Sequence, residues 1–533
     1  MAYLGVDIGT SSSKGVLVDA SGTVIATAVR AHTVSRPRPG HVEMDPEVWW
    51  REFRDITREL LSGHLGGPDA KGGAGPASGA SGGSSPTGVG VGRPGPVAAV
   101  GISGMGPCVA LADGASRPLR PAVLYGVDTR AVAQIARLDA ELGRPAVLDR
   151  CGSVLSTQAV GPKVAWVAEH EPEVFAAARR LFMPSSFLVH RLTGAYVLDH
   201  HAASQSVPFY DTGAEDWYRP WVDAVWPHME LPELRWPGDR AGTVTAKAAA
   251  ATGLAPGTPV LTGTVDAWAE AVSVGATRPG DLMLMYGTTM FLIATVTRQL
   301  RVPELWSTVG AYSGTRSLAG GMATSGAVTE WLRGLFGAAD RAVLLAEAEQ
   351  SGVGARGLAM LPYFAGERTP IADPDARGVI AGLTLEHTRG DLYRAALEAT
   401  AHGVRHNVEA MRRAGAAIER VVAVGGGTRG GLWTRIVSDV TGLPQDIPTV
   451  TVGAAYGAAR LAAAHLEGEA ATAAWNPVRD RCVPDPAAGA AYDGLHRLYR
   501  ELYPATRDTV HALARLRREA AGTEDAASGG APS

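Results

Sequence analysis

Apolar runs broken by glycine and hydroxyl turns set the grammar of this chain. Residues 3–6 and 15–18 have the composition of buried strands around a small polar turn, and residues 23–29 resume after the turn signal Ser21-Gly22, which predicts an N-terminal meander. Residues 97–102 read as a buried strand, and residues 131–142 and 162–169 as helices. The opening theme returns far downstream, where residues 281–286 and 290–296 flank a second Gly-Thr turn, and the echo points to two related domains. A helix over 391–413, with Leu392, Ala395, Ala396 and Ala399 on one face, leads into a strand at 420–424. Helices at 432–441, 451–467 and 492–518 complete the pattern, and the alternation of strands and helices indicates an α/β fold.

Composition sharpens this picture in one place. The chain has 533 residues, enough for at least two domains, with 66 Gly and 34 Pro. Much of that excess falls in residues 63–96, where 13 Gly, 5 Pro and 4 Ser are interrupted by only three larger apolar side chains, Leu65, Val89 and Val91. Such a stretch cannot offset its ordering entropy by burial and is expected to be a disordered insertion. The same is expected of the small, polar residues 520–533. A net charge of -4 without a basic run argues against nucleic acid as a partner. No apolar run has membrane-spanning length, and three scattered cysteines offer neither a disulfide framework nor a zinc site, which fits a cytoplasmic protein.

The chemistry concentrates at turns. Gly9-Thr10-Ser11-Ser12-Ser13-Lys14, Gly287-Thr288-Thr289 and Gly425-Gly426-Gly427-Thr428 each follow a strand, where N–H groups and hydroxyls can hold anionic oxygens. Asp7 precedes the first turn, and Asp266 ends the 261–266 strand ahead of a helix-like segment. A carboxylate beside phosphates needs a cation such as Mg²⁺ between them, or serves to take a proton from an attacking hydroxyl. An Asx turn at Asp7 and a helix cap at Asp266 are the structural alternatives. Gly425, Gly427 and Gly430 also satisfy a dinucleotide fingerprint, with Asp446 as its acidic partner, while a P-loop is absent. The adjacent His200 and His201 read as structural or surface groups, and Trp49 and Trp50 as packing.

Several blocks in order make the resemblance specific: residues 4–14 (LGVDIGTSSSK), 40–50 (GHVEMDPEVWW), 119–130 (LRPAVLYGVDTR), 263–275 (GTVDAWAEAVSVG), 366–378 (GERTPIADPDARG) and 424–444 (VGGGTRGGLWTRIVSDVTGLP). The chain resembles the FGGY family of carbohydrate kinases, nearest its xylulokinase members. The resemblance implies two ribonuclease-H-like domains of the actin and Hsp70 type, here 1–262 and 263–503 followed by a terminal helix and tail, with the active site in the cleft between them. It implies ATP and Mg²⁺, a sugar as the small-molecule partner, and a homodimer as the assembly to test. Asp266 then corresponds to the general base and a substrate contact. Asp7 corresponds to the organiser of metal and phosphates, both carboxylates meeting Mg²⁺ directly or through water. Thr10, Ser11, Ser12 and Lys14 correspond to the first phosphate loop, Gly287 and Thr288 to the second, and Gly326, Gly426 and Gly427 to the adenosine and α-phosphate contacts. Met105, Gly106 and Asp128, with Arg130 alongside, occupy the sugar-contact positions.

Here the chain departs from its relatives. Gly104-Met105-Gly106-Pro107 matches neither the Gln-Met-His-Gly of xylulokinases nor the Arg-Glu of glycerol kinases, and Trp268 is bulkier than the residue common there. A ketopentose such as D-xylulose is the expected substrate; ribulose, a hexulose, a polyol or a sugar acid are the alternatives. A catalytically silent actin-like binding protein and a dinucleotide enzyme are the readings outside the family.

Overall fold

The computed structural model describes residues 1–63 and 96–528. The composition-based expectation for 63–96 therefore falls almost wholly outside the described residues. Two seven-stranded sheets form the frame. In the first, Ala2–Ile8, Ser12–Asp19 and Val24–Ala31 form the antiparallel meander, and Ala2–Ile8 then pairs in parallel with Val97–Gly104. The second sheet repeats the plan: Asp281–Tyr286, Met290–Val296 and Arg316–Met322 run antiparallel, and Asp281–Tyr286 pairs in parallel with Arg420–Val424. The echo between the two hairpins is thus a repeat in three dimensions.

Two helices fasten the halves together. The helix Asp266–Ser273 lays Trp268 and Ala271 against Met283, Ile293 and Val424 of the second sheet. The helix Ala454–Glu467, from the second half, lays Ala455 and Ala459 against Tyr3, Val16 and Ala99 of the first. Contact is closest at glycines. A methyl group at Gly5 or Gly101 would lie 1.9 Å from the carbonyl oxygen of Ala455 or Ala458, respectively, and one at Gly457 would lie 1.7 Å from that of Ala269. Only residues without a Cβ allow this approach.

Local signals hold at the element ends. Thr388 and Asp391 exchange capping-box hydrogen bonds at the start of Arg389–Arg413, longer by two residues than the periodicity predicts. Trp49 and Trp50 are buried in the core of the first half, as packing residues. The last helix is a single element, Pro486–Ser528. Its helical backbone runs nine residues into the segment expected to lack order, because alanine is the strongest helix former and composition alone does not register that. Among the described residues no helix is long and apolar enough to cross a membrane.

Candidate active site

Strand register places the first carboxylate. Asp7 lies opposite Lys14 on one neighbouring strand and Ser103 on the other, and such pairs share a sheet face. Ser103 Oγ donates to Asp7 Oδ1 at 2.9 Å, and Lys14 Nζ reaches the Val452 carbonyl at 3.0 Å. Ile8 and Val265 both pair with Gly104, so Asp266 emerges just beyond the carboxyl ends of these strands, where open α/β sheets bind ligands. Asp266 occupies the first turn of its helix and accepts the Ala267 N–H at 2.7 Å. Both carboxylates line a cavity of about 460 Å³ between the halves.

This placement sets their electrostatics. Burial raises the Asp266 pKa, and the charge of Asp7 raises it further, against the Ala267 N–H. Burial also raises Asp7, opposed by Ser103 and Lys14. A third carboxylate stands one helical turn beyond Asp266. Burial and the charge of Asp7 push Glu270 up to about 7, with Lys14 partly offsetting them. Raised values bring these carboxylates toward neutrality, where a general base that must accept and then release a proton works best. Divalent cations favour carboxylate oxygens, and the mutual repulsion of Asp7 and Asp266 is what a cation would relieve, so this pair fits Mg²⁺.

A raised carboxylate pKa has a definite stability sign. Glu270 holds its proton more tightly when folded, so its contribution is fully present below its ordinary value of 4.5 and is lost as pH rises through about 7. Replacing Glu270 with Gln is therefore expected to raise the melting temperature at pH 8 and leave it nearly unchanged at pH 4. Thermal melts at both pH values check this, and a uniform shift would contradict it.

The second and third turns converge at one end of the other sheet. The Gly326 N–H donates to the Gly287 carbonyl at 3.0 Å, and the Ser325 and Ala327 N–H groups donate to that of Thr288 at 3.0 and 3.1 Å. This ties the Gly287-Thr288 turn to the start of the helix Gly326–Leu335. Gly425, at φ 94°, backs onto the Tyr286 carbonyl, and Gly427 packs against the Tyr286 and Trp433 side chains. Gly287, Thr288, Gly326, Gly426 and Gly427 thus come together. In the first turn, Thr10 Oγ1 hydrogen-bonds the Tyr125 hydroxyl at 2.8 Å, while the Gly9 N–H donates to the Ser12 carbonyl at 3.0 Å. The Ser11 carbonyl receives the His32 N–H at 3.0 Å. Asp446, the acidic partner of the dinucleotide fingerprint, is paired with Arg420 at 3.0 Å.

The expected sugar contacts divide. Gly106 lines the cavity, but Met105 is buried beside it with its N–H on the Ile8 carbonyl at 2.8 Å. Asp128 and Arg130 do not line the cavity. Arg130 spans Asp128 at 2.8 Å and Glu43 at 2.7 Å, and Asp128 also takes the Val42 N–H at 2.6 Å. Tyr125, Val127, Gln158, Ser153 and Gln205 face the cavity instead. His201 joins them. It lies in the short helix His200–Ser204. Its Nδ1 donates to the Val309 carbonyl at 2.7 Å, leaving Nε2 to accept from Gln205 at 2.8 Å. Burial lowers its pKa to about 3, so it is neutral. Apolar residues of the second half, Phe291, Ile293 and Trp306, close the far wall, with Arg368 among them. Glu270 was within reach of sequence reasoning through its i,i+4 spacing from Asp266, and Arg368 through its place in the GERTP block; His201 and Gln205 had no comparable signal.

Comparison with known proteins decides the identity. Residues 2–273 match the N-terminal domain of the FGGY family of carbohydrate kinases, and residues 282–466 match its C-terminal domain. The chain belongs to the FGGY family of carbohydrate kinases. This FGGY kinase is 30% identical to the xylulose kinase of Escherichia coli over 508 residues, covering 94% of this chain and 98% of that protein. It is also 30% identical to the glycerol kinase of Nocardia farcinica over 505 residues, covering 89% and 93%. The solved xylulose kinase of Rhodospirillum rubrum superposes with a TM-score of 0.84 at 33% identity, over 96% of this kinase and all of that chain. The FGGY kinase is therefore a phosphotransferase that phosphorylates a sugar at the expense of ATP.

Proposed function

We propose that this FGGY kinase transfers the γ-phosphate of ATP to a hydroxyl of a ketopentose, D-xylulose first among them, with Asp266 as the general base. The observation that carries the reading is the half-buried Asp7 and Asp266 pair at the strand ends, in a cleft that opens onto both phosphate-type turns. Asp266 takes the hydroxyl proton as the sugar oxygen attacks, and its raised pKa matches it to that task near neutral pH. Asp7, with Asp266 beside it, would hold Mg²⁺ and orient the phosphates, and the metal would supply neutralisation of phosphate charge. Thr10, Ser11, Ser12 and Lys14 approach the phosphates from one side, and Gly287 and Thr288 from the other. Gly326, Gly426 and Gly427 let backbone close on the nucleotide. The lobes 1–262 and 263–503 enclose the reactants and exclude water, which would otherwise accept the phosphoryl group.

On the sugar side, Gly104-Met105-Gly106-Pro107 lacks the histidine of the xylulokinase pattern, and Asp128 and Arg130 are tied up in ion pairs. Hydroxyl recognition then falls to Gln158, Ser153, Gln205 and His201, which favours a shifted preference within the ketose class. A coupled ADP assay over D-xylulose, ribulose, ketohexoses, glycerol and aldonic acids tests this. The expected result is the highest kcat/KM for a ketopentose. A polyol or acid preferred by 100-fold or so, the scale on which pocket contacts discriminate, would overturn the substrate assignment and leave the kinase standing.

A further inference from the structure

The GERTP segment of the second half, residues 366–370, is held from several sides. Thr369 Oγ1 donates to Asn407 Oδ1 at 2.6 Å and accepts the Gly321 N–H at 2.6 Å. Asn407 Nδ2 returns a bond to the Thr369 carbonyl at 3.0 Å. The buried Glu367 carboxylate takes the Ala323 N–H at 2.8 Å and the Arg368 N–H at 2.7 Å. One group in this fixed segment has no partner. The Arg368 guanidinium, half-buried in the wall of the cavity, makes neither a hydrogen bond nor an ion pair among the described residues. Its charge acts on the Tyr125 hydroxyl, which hydrogen-bonds Thr10 of the first phosphate turn. Arg368 therefore faces, across the cleft, the place where phosphate and sugar meet.

A free guanidinium on a rigid loop is suited to one kind of ligand. It presents parallel N–H donors that match the oxygens of a phosphoryl group, and in a site holding three carboxylates it adds, opposite Lys14, a second cation for the charge that spreads over those oxygens in transfer. Resting on the kinase reading above, we propose that Arg368 is a catalytic residue that binds the γ-phosphoryl group in transit from the second-half side of the cleft. As the sugar oxygen bonds to the γ-phosphorus, the bond from that phosphorus to the bridging oxygen breaks and its electron pair leaves on ADP. The hydroxyl proton passes to Asp266, and Arg368 bridges the oxygens of the moving group.

Arg368→Ala and Arg368→Lys, assayed with MgATP and D-xylulose, test this. The Ala variant is expected to lose about 100- to 1,000-fold in kcat while both KM values move less than about fivefold, with Lys intermediate. Added guanidinium should restore part of the lost turnover. ADP with aluminium fluoride and D-xylulose should inhibit the wild type far more tightly than the Ala variant. Because the guanidinium makes no hydrogen bond or ion pair among the described residues, both variants should melt within about 2 °C of the wild type. Unchanged kcat, or a rise confined to the sugar KM, overturns the proposal while leaving the kinase reading intact. A wild type with no sugar-stimulated ADP release removes the kinase reading and the proposal with it.

Discussion

Asp266→Asn should abolish turnover and make the protein more stable. The amide keeps the shape and cannot take a proton, so kcat is expected to fall by about 10²- to 10⁴-fold, the worth of a positioned general base, while ATP binding persists. Stability should move the other way. Burial and Asp7 both disfavour the ionised Asp266, so the wild-type fold bears an unfavourable charge that the variant lacks at pH 8. A higher melting temperature with lost activity is the signature of a strained functional group, since a residue kept for packing would destabilise when replaced. Paired melts and ADP assays on Asp266→Asn read both quantities. Lost activity with a lowered melting temperature would assign Asp266 a structural role.

The second large effect is expected far from any reacting atom. Gly457→Ala places a methyl group 1.7 Å from the Ala269 carbonyl oxygen, and backbone cannot yield as a flexible side chain can. Overpacking of a tight core costs about 1–3 kcal/mol and at times more, and this contact should lie at the upper end. The helix displaced is the one that begins with Asp266, so kcat should fall along with stability. Measured melting temperature and kcat should drop together in Gly457→Ala. Gly194→Ala is the control for glycine replacement itself: its left-handed φ of 81° is strained, but no atom lies within 4 Å of the added methyl, so stability should drop and kcat should hold.

These two residues mark what the sequence could and could not say. Asp281–Tyr286 and Met290–Val296 were legible to the residue, because a short apolar run on either side of Gly-Thr specifies a hairpin without help from distant chain. Asp7 and Asp266 were legible because each stands at a strand end beside a recognisable turn. Gly457 was not, since nothing near it in sequence records that another helix crosses there. Asp128 and Arg130 occupied motif positions, yet Glu43 and the Val42 N–H, brought in from more than 80 residues away, claim their hydrogen bonds. The segment 451–467 read as one helix, but it becomes helical only at Ala454; Val452 and Gly453 stay open and line the cleft, where Lys14 and Glu270 meet them. Local pattern thus announces the carriers of chemistry, and long-range packing decides which of them reach the substrate.

A closed FGGY cleft should pass phosphate to a sugar rather than to water. Phosphorus NMR of MgATP with D-xylulose and the purified protein tests it directly. A sugar phosphate monoester should grow in step with ADP, with little inorganic phosphate. ADP accompanied only by inorganic phosphate, or no ADP at all with any ketopentose, would contradict it.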